Sequence, residues 1–231
     1  MIFNGENYTI QFWQGESLGN ILAIDTETTI KPFTKTPDLI TFQVFDGESL
    51  FYVDRGSVRD FLAKHSTRTM VFANAPFDID VLRKFTEDKY LLKEQIEKDK
   101  VYDINILYRL WGLASVGNVP HKYSLDHISN RLLGIILNKD ENIRCNFEEY
   151  KDIPTQKIPQ KFLEYGAKDV ISTFHCFTHL RLEIIKLKSK TNLSHQIQLL
   201  GAIALNRMYK NGIGFDENKA QELLRELNAT L

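Results

Sequence analysis

Cysteine is almost absent from this chain of 231 residues, which contains only Cys145 and Cys176. Two isolated cysteines are too few for a disulfide framework or for a cysteine-based zinc site. The sequence also lacks an apolar run of the roughly 18 residues that a membrane-spanning helix requires. Its first residues, MIFNGENYTIQFW, do not show the basic and then apolar pattern of a signal peptide. We therefore expect a cytoplasmic protein, in a bacterial or phage-type context, that has no membrane partner.

An excess of charge of either sign is missing as well, because the formal net charge is −1 at pH 7. The chain is therefore not a strongly basic nucleic-acid binder, and any contact with nucleic acid has to be local or bridged by metal ions. A Gly-rich phosphate loop, a serine nucleophile elbow and a dinucleotide-binding fingerprint are also absent from the sequence. What the sequence does have is a hydrophobic content of 43%, with fifteen Phe and nine Tyr, which indicates a packed core.

The order of the predicted strands and helices indicates an α/β core followed by a helical C-terminal half. Strand patterns occur at residues 8–13, at 20–26, twice within 38–54 around a turn at Asp46 and Gly47, and at 69–74. Helical patterns dominate later, at about 123–134, 158–188, 194–210 and 217–230. The polar, lysine-rich stretch 186–194 is the best candidate for a domain boundary. We therefore predict a domain of residues 1–188 and a helical extension of residues 189–231.

Two carboxylates follow a short apolar run in LAIDTETTI, residues 22–30. Side chains two apart on a strand point to the same face, so Asp25 and Glu27 project together. They lie at the carboxyl end of the strand, where open α/β sheets place their ligands. Taken by itself, such a pair more often consists of acids that cap a strand or bond to a nearby turn, and less often of metal ligands.

A second acid follows another buried strand in FANAPFDIDVL, residues 72–82. Asp78 lies in the first turn of the predicted helix, where the helix dipole favours an anion, and Asn74 is positioned to cap the same helix. Helix capping explains Asn74, and the helix dipole explains Asp78. Neither explains why a second strand, like the first, is followed by an acidic residue. Asp80 points elsewhere on the helix, and we predict that it is solvated.

The third motif lies on a long predicted helix, in FLEYGAKDVISTFHCF. Tyr165 and Asp169 are four residues apart and therefore share one helix face. Gly166 lies between them, although a glycine inside a helix costs about 1 kcal/mol relative to alanine. Either the backbone needs a close approach at this position, or the glycine is incidental.

These three pieces occur in a fixed order: D-x-E, then N-x-x-x-D, then Y-x-x-x-D. The order resembles that of the DEDD superfamily of 3′–5′ exonucleases. With a tyrosine in its third motif, the chain resembles the branch that contains ribonuclease D and the proofreading domains of family A DNA polymerases. The resemblance covers roughly residues 20–180 and implies an α/β, ribonuclease H-like fold, with a mixed five-stranded sheet flanked by helices. The segments VYDINILYRLWG and YSLDHISNRLLG favour the polymerase relatives.

The resemblance implies a site for two divalent metal ions, Mg²⁺ or Mn²⁺, for which carboxylate oxygens are suitable ligands. Asp25 would bridge both ions, Glu27 and Asp169 would complete the site that serves the attacking water, and Asp78 would serve the second ion. Tyr165 would orient the water by a hydrogen bond. These five residues are the predicted catalytic set.

The same resemblance implies residues that bind the substrate. They are Asn74, Thr26, Ile30 and Phe77, with Ile30 as the apolar wedge that separates the terminal bases. Further basic residues could follow the strand's backbone, although solvated surface charge is an equally good interpretation of each. These basic residues are Lys122, Arg131 and Arg144.

The leading prediction is a metal-dependent 3′–5′ exonuclease that releases nucleoside 5′-monophosphates from single-stranded or frayed DNA 3′ ends. Its role would be proofreading beside a polymerase domain of the same native polypeptide, from which this monomeric chain would be the excised exonuclease part. One alternative is an RNA exonuclease resembling ribonuclease D. Another is a non-catalytic nucleic-acid-binding domain, against which the complete set of acids and the tyrosine count.

Overall fold

The computed structural model describes residues 1–32, 35–137, 143, 145–187, 191–212, 214 and 216–230. Arg144 and the predicted domain boundary between residues 188 and 189 lie outside these residues. The division into two domains therefore stays a prediction. No helix in the described ranges is long and apolar enough to cross a membrane.

A six-stranded mixed sheet forms the centre of the fold, in the order β3-β6-β5-β4-β7-β8. The strands along the chain are β1 (Ile2–Phe3), β2 (Glu6–Asn7), β3 (Ile10–Phe12), β4 (Ile21–Thr28), β5 (Leu39–Phe45), β6 (Leu50–Val53), β7 (Thr69–Phe72) and β8 (Val101–Asp103). Strand β5 pairs antiparallel with β4 and β6, whereas the β4–β7, β7–β8 and β3–β6 pairs are parallel. The predicted mixed α/β sheet is confirmed. It has one strand more than the predicted five, because the short β3 pairs along the edge of β6.

Helices cover both faces of this sheet. They are α1 (Val58–Lys64), α2 (Ala75–Phe85), α3 (Lys93–Glu97), α4 (Ile104–Val116), α5 (Leu125–Leu133), α6 (Gln160–Lys186), α7 (Thr191–Asn211) and α8 (Glu217–Thr230). Strand β4 is buried on both faces, which explains its unbroken apolar start. Leu22 and Ile24 join the core beneath α1 and α2, and Ala23 joins the core beneath α4, α5 and α6. Asp25 and Glu27 follow Ala23 at intervals of two residues, so all three side chains lie on the face of β4 that is covered by α6.

The close approach of α6 to the sheet explains Gly166. A Cβ atom at this position would lie 2.6 Å from Nε2 of Gln43 and 3.0 Å from the hydroxyl of Tyr52. The Tyr52 hydroxyl donates a hydrogen bond of 2.5 Å to the carbonyl oxygen of Leu163 in the preceding turn of α6. Of the two interpretations left open by the sequence, the structure therefore supports close approach.

Helix α7 packs along the β8 edge of the sheet. The imidazole of His195 is fully buried there, and its Nε2 accepts a hydrogen bond of 2.9 Å from the backbone N–H of Asp103. The His195 ring also stacks on Tyr102, with 5.0 Å between the ring centroids. Burial lowers the pKa of His195 to about 4, so its Nε2 is an acceptor at neutral pH. This contact ties α7 to the end of the strand that leads into α4.

Candidate active site

Three carboxylates from two distant parts of the chain meet at the carboxyl end of β4. Asp25, Glu27 and Asp169 each offer one oxygen atom, and these oxygens lie within 4.8 Å of one another. The pairing of β4 with β5 is irregular between Glu27 and Thr28, a distortion that often re-aims side chains next to active sites. The cluster supplies the hard oxygen ligands that Mg²⁺ and Mn²⁺ prefer, so its donor set fits a divalent cation.

The electrostatics of Asp25 also favour a cation at this position. Burial raises the pKa of the Asp25 carboxyl well above its ordinary value, and the nearby charges of Asp78, Glu27 and Asp169 raise it further. Four acids at close quarters cannot all be ionised at low cost unless a positive charge is added. A divalent cation supplies that charge, which makes the cluster a candidate metal centre.

Gln43 holds Asp25 in place, and the sequence analysis did not identify it. Its Nε2 donates a hydrogen bond of 2.7 Å to Oδ2 of Asp25, and its Oε1 accepts one of 2.9 Å from the hydroxyl of Thr41. Both polar side chains are fully buried in β5. The signal was present in the sequence, since Gln43 and Thr41 interrupt an otherwise apolar strand and a buried amide requires partners.

Asp78 lies beside this cluster in the first turn of α2, as predicted, but it is buried. Its Oδ1 accepts a hydrogen bond of 2.7 Å from the hydroxyl of Thr26. Burial raises the pKa of Asp78 to about 7, with a further contribution from the charge of Asp103. Thr26 was predicted to bind substrate. In the structure its hydroxyl is engaged with Asp78, although the residue still lines the cleft.

Asn74 does not cap α2, contrary to the prediction. Its backbone is in the left-handed conformation, at φ 81°, and its side chain makes no capping hydrogen bond. The carboxylate of Asp103 takes this role, because it accepts hydrogen bonds from the backbone N–H groups of Ala75, at 2.8 Å, and of Asn74, at 3.4 Å. A carboxylate at a helix N-terminus is favoured by the dipole. The Asn74 side chain is exposed, and it is not among the residues that line the cleft.

The prediction that Asp80 is solvated is also wrong. Oδ2 of Asp80 accepts a hydrogen bond from the hydroxyl of Thr36 and forms an ion pair with Lys210. The side chain of Lys210 is 15% exposed and that of Asp80 is 23% exposed. The reason is tertiary, because α7 packs against α2 and brings Lys210 to an acid that local sequence places on an outer face.

A cleft of about 610 Å³ opens over the carboxylates. It is lined by Asp25, Thr26, Glu27, Thr28, Thr29, Ile30, Lys31, Lys35, Pro37, Phe77, Cys145, Tyr165, Asp169, Asn206, Tyr209 and Lys210. Ile30, the predicted wedge, is 57% exposed at this cleft, and Phe77 and Tyr165 also reach it. Lys122 and Arg131 are exposed and lie outside the lining, which agrees with the solvated interpretation of both.

The family of 3′–5′ exonucleases matches residues 8–185, which include all four acids and the tyrosine. The chain belongs to this 3′–5′ exonuclease family. The match confirms the predicted resemblance to DEDD-type exonucleases and the predicted class of enzyme. No curated protein sequence shows significant similarity to the exonuclease.

Solved structures of nucleases share its fold. RNase D of Escherichia coli, an exoribonuclease involved in structured RNA processing, matches with a TM-score of 0.58 and 19% identity, over 90% of this chain and 52% of that one. NrnC of Brucella melitensis has a TM-score of 0.62 and 19% identity, over 90% of this chain and 98% of that one. RNase D of Trypanosoma brucei in complex with RNA U12 has a TM-score of 0.57 and 15% identity, over 80% of this chain and 63% of that one. The exonuclease thus spans about half the length of the E. coli RNase D structure.

The titration of Asp78 predicts how the stability of the metal-free exonuclease depends on pH. Its pKa is raised from an ordinary 3.8 to about 7 in the folded state, so the folded state binds more protons than the unfolded chain between these values. The stabilisation is therefore complete below pH 4 and is lost as the pH rises through about 7. Each pKa unit corresponds to about 1.36 kcal/mol, which limits the loss to about 4 kcal/mol.

The measurement is thermal unfolding in EDTA between pH 4.5 and 8, for the wild type and for Asp78→Asn. We expect the melting temperature of the wild type to fall with rising pH more steeply than that of the variant. The residual slope of the variant would include Asp103, whose pKa burial raises to about 6. Parallel curves for the two proteins would contradict the buried, proton-binding state of Asp78.

Proposed function

We propose that this exonuclease holds two divalent metal ions, Mg²⁺ or Mn²⁺, with Asp25, Glu27, Asp78 and Asp169. The observation that carries the proposal is the convergence of Asp25, Glu27 and Asp169, whose oxygens lie within 4.8 Å of one another. The raised pKa values of Asp25 and Asp78 support it, because burial, and secondly the nearby acids, disfavour the charged carboxylates, and a bound cation would offset both effects. In this proposal Asp78, whose carboxylate accepts a hydrogen bond from the hydroxyl of Thr26 on β4, would serve the second ion.

The chemistry is the hydrolysis of the phosphodiester bond nearest the 3′ end. When bound, a pair of divalent ions stabilises the charge that develops on the attacking and leaving oxygens. The protein's own groups position the reactants. Gln43 fixes the direction of the Asp25 carboxylate, and Tyr165, at the cleft beside Asp169, orients the attacking water by a hydrogen bond. The products are a nucleoside 5′-monophosphate and a strand one nucleotide shorter.

The substrate in this proposal is a single-stranded or frayed 3′ end. The cleft is open, and its exposed Ile30 and half-buried Phe77 suit unpaired bases, while Lys31 and Lys35 at the same cleft suit the phosphates. The segments VYDINILYRLWG and YSLDHISNRLLG resemble those of polymerase relatives, which favours DNA as the substrate and a proofreading role beside a polymerase domain. That domain and the monomeric state stay predictions from the sequence.

RNA is the second candidate substrate. It is favoured by the fold shared with E. coli RNase D and with the T. brucei RNase D that was solved with RNA. The two candidates differ in the 2′-hydroxyl, which a protein reads by direct contacts at the sugar. The rates of degradation of DNA and RNA strands of the same sequence therefore distinguish the two candidate substrates.

The test uses 5′-labelled DNA and RNA strands of the same sequence, with Mg²⁺, with Mn²⁺ and with EDTA. We expect a ladder that shortens from the 3′ end, release of nucleoside 5′-monophosphates, and no reaction in EDTA. The control is the double variant Asp25→Ala, Glu27→Ala, purified in parallel. Equal degradation by both proteins would point to a contaminant. Binding of the strands without any degradation would support a non-catalytic domain instead.

A further inference from the structure

Helix α7 contributes one wall of the cleft although it lies beyond residues 8–185, the part that matches the exonuclease family. Three of its residues, Asn206, Tyr209 and Lys210, line the cleft together with the carboxylates. The family match therefore accounts for the floor of the cleft but not for this wall. The wall is a place where the chain can add contacts of its own to the substrate.

The wall is fixed to the elements that carry the catalytic groups. His195 accepts a hydrogen bond from the backbone of Asp103, and the Asp103 carboxylate caps α2, the helix of Phe77 and Asp78. Further along α7, Nδ2 of Asn206 donates a hydrogen bond of 3.2 Å to the carbonyl oxygen of Pro76. Movement of α7 relative to the site is therefore restrained at both contacts.

Two of the three wall residues are engaged in holding the helix. Asn206 bonds to the first turn of α2, and Lys210 pairs with Asp80 and bonds to Thr36. Tyr209 differs from them, because its side chain is 63% exposed and makes no hydrogen bond or ring contact with the described part of the chain. An exposed aromatic ring on a restrained wall of a nuclease cleft is suited to stacking on a base.

The position of Tyr209 indicates which base it meets. Its neighbour Lys210 bonds to Thr36, which directly follows Lys35 in the segment that forms the rim of the cleft. Phe77 lines the cleft from the first turn of α2, the turn that carries Asp78. Tyr209 lies on α7, next to the residue that bonds to this rim. A strand whose terminal nucleotide lies beside the carboxylates would therefore pass Tyr209 as it enters the cleft.

We propose that Tyr209 stacks on a base upstream of the scissile phosphodiester, while Lys31 and Lys35 contact the adjacent backbone phosphates. This inference rests on the proposed exonuclease function and adds a subsite for single-stranded nucleic acid to it. Stacking on an aromatic side chain is worth about 1–3 kcal/mol per base and tolerates any base. The subsite therefore strengthens binding of longer strands without selecting their sequence.

The test compares a long and a minimal substrate in the variants Tyr209→Ala, Tyr209→Leu and Tyr209→Phe. The minimal substrate is the p-nitrophenyl ester of thymidine 5′-monophosphate, in which p-nitrophenol replaces everything upstream of the terminal nucleotide. We expect Tyr209→Ala and Tyr209→Leu to raise KM for an eight-nucleotide strand by about 5- to 150-fold, with little change in kcat. Hydrolysis of the ester stays at the wild-type rate, and Tyr209→Phe behaves as wild type on both substrates.

Binding provides a readout that does not depend on turnover. In an Asp25→Asn background, where the strand stays intact, fluorescence anisotropy of a labelled eight-nucleotide strand should show the same loss of affinity, about 5- to 150-fold, for Tyr209→Ala. The matched control is Tyr90→Ala, since Tyr90 is 60% exposed and is not among the residues that line the cleft. It should leave binding and KM unchanged.

The outcomes separate the inference from the proposed function. A wild-type protein that degrades no strand and no ester would overturn the proposed function. A wild-type protein that is active, with Tyr209→Ala equal to it on the eight-nucleotide strand, would overturn only the inference. Loss of ester hydrolysis in Tyr209→Ala, in a protein with an unchanged melting temperature, would place the ring at the terminal nucleotide and would also overturn the inference.

Discussion

Asparagine in place of Asp25 is expected to lower the rate of strand degradation by about 10³-fold or more. In the proposed site Asp25 would be one of the residues that hold the ions, and charge stabilisation by bound ions would contribute several kcal/mol to the transition state. Each 1.36 kcal/mol of the barrier corresponds to a factor of ten in rate, so a loss of about 4 kcal/mol gives this reduction. The measurement is the initial rate on a 5′-labelled strand at saturating Mg²⁺.

The same substitution is expected to raise the melting temperature of the metal-free protein. Asp25 carries a carboxyl whose pKa is raised by burial and by three neighbouring acids, so its charged form destabilises the folded state at neutral pH. Asparagine removes the charge and keeps an oxygen that accepts the hydrogen bond from Gln43. Activity and stability should therefore change in opposite directions, which a merely damaged fold would not produce.

The control for Asp25→Asn is Asp60→Asn, which removes an exposed acid in the first turn of α1. It should leave the rate unchanged and shift the melting temperature in EDTA only slightly. Two results would count against the assigned role of Asp25. One is a variant that keeps more than a tenth of the wild-type rate, and the other is a variant that melts below the wild type in EDTA.

Local spacing was enough to predict which of the candidate catalytic side chains point in the same direction. Asp25 and Glu27 are two apart on a strand, and Tyr165 and Asp169 are four apart on a helix, so each pair shares a face by backbone geometry. The structure shows both arrangements. The meeting of the two pairs across the fold is a different matter, because it depends on which elements pack together, and only the resemblance to a family supplied it.

The errors concern contacts between residues that are distant in sequence. Asn74 was predicted as the cap of α2 because it precedes the helix, but strands β7 and β8 pair in parallel and place Phe72 beside Asp103. The carboxylate of Asp103 therefore reaches the same N–H groups and replaces the amide. Asp80 was misjudged for the same reason, since its partner Lys210 lies 130 residues away on α7.

Gln43 shows what a sequence can signal without identifying its role. A glutamine in a fully buried strand has to be hydrogen-bonded, and this much follows from its apolar neighbours. Which group it bonds to depends on the antiparallel register that sets Gln43 opposite Asp25. Gly166 is the complementary case, because its meaning depends on the distance between α6 and β5 and not on any local preference.

Alanine in place of Gly166 is expected to lower both stability and activity. Its Cβ would lie 2.6 Å from Nε2 of Gln43, the atom that bonds to Asp25, so either the amide or helix α6 has to move. Overpacking of this kind costs about 1–3 kcal/mol, and the better helix propensity of alanine offsets about 1 kcal/mol of it. We expect strand degradation to fall by about 10- to 100-fold, because Asp25 loses its fixed direction.

The matched control is Gly201→Ala, in the interior of α7. A Cβ at Gly201 would meet nothing within 4 Å, so this substitution should add stability of about 0.5–1 kcal/mol and leave the activity unchanged. Both variants make the same chemical change in a helix, and they differ in whether the backbone approaches another element. Their comparison by thermal unfolding and by initial rate therefore isolates the close approach.

A double-mutant cycle with Gln43→Ala separates the steric effect of Gly166→Ala from its effect on Asp25. Removal of the Gln43 amide vacates the space that the new Cβ needs, so the double variant should be less destabilised than the sum of the single variants. Its activity should stay low, because the hydrogen bond from Gln43 to Asp25 is absent whichever residue occupies position 166. Additive stabilities, or full activity in Gly166→Ala, would mean that the contact between α6 and β5 does not control the direction of Asp25.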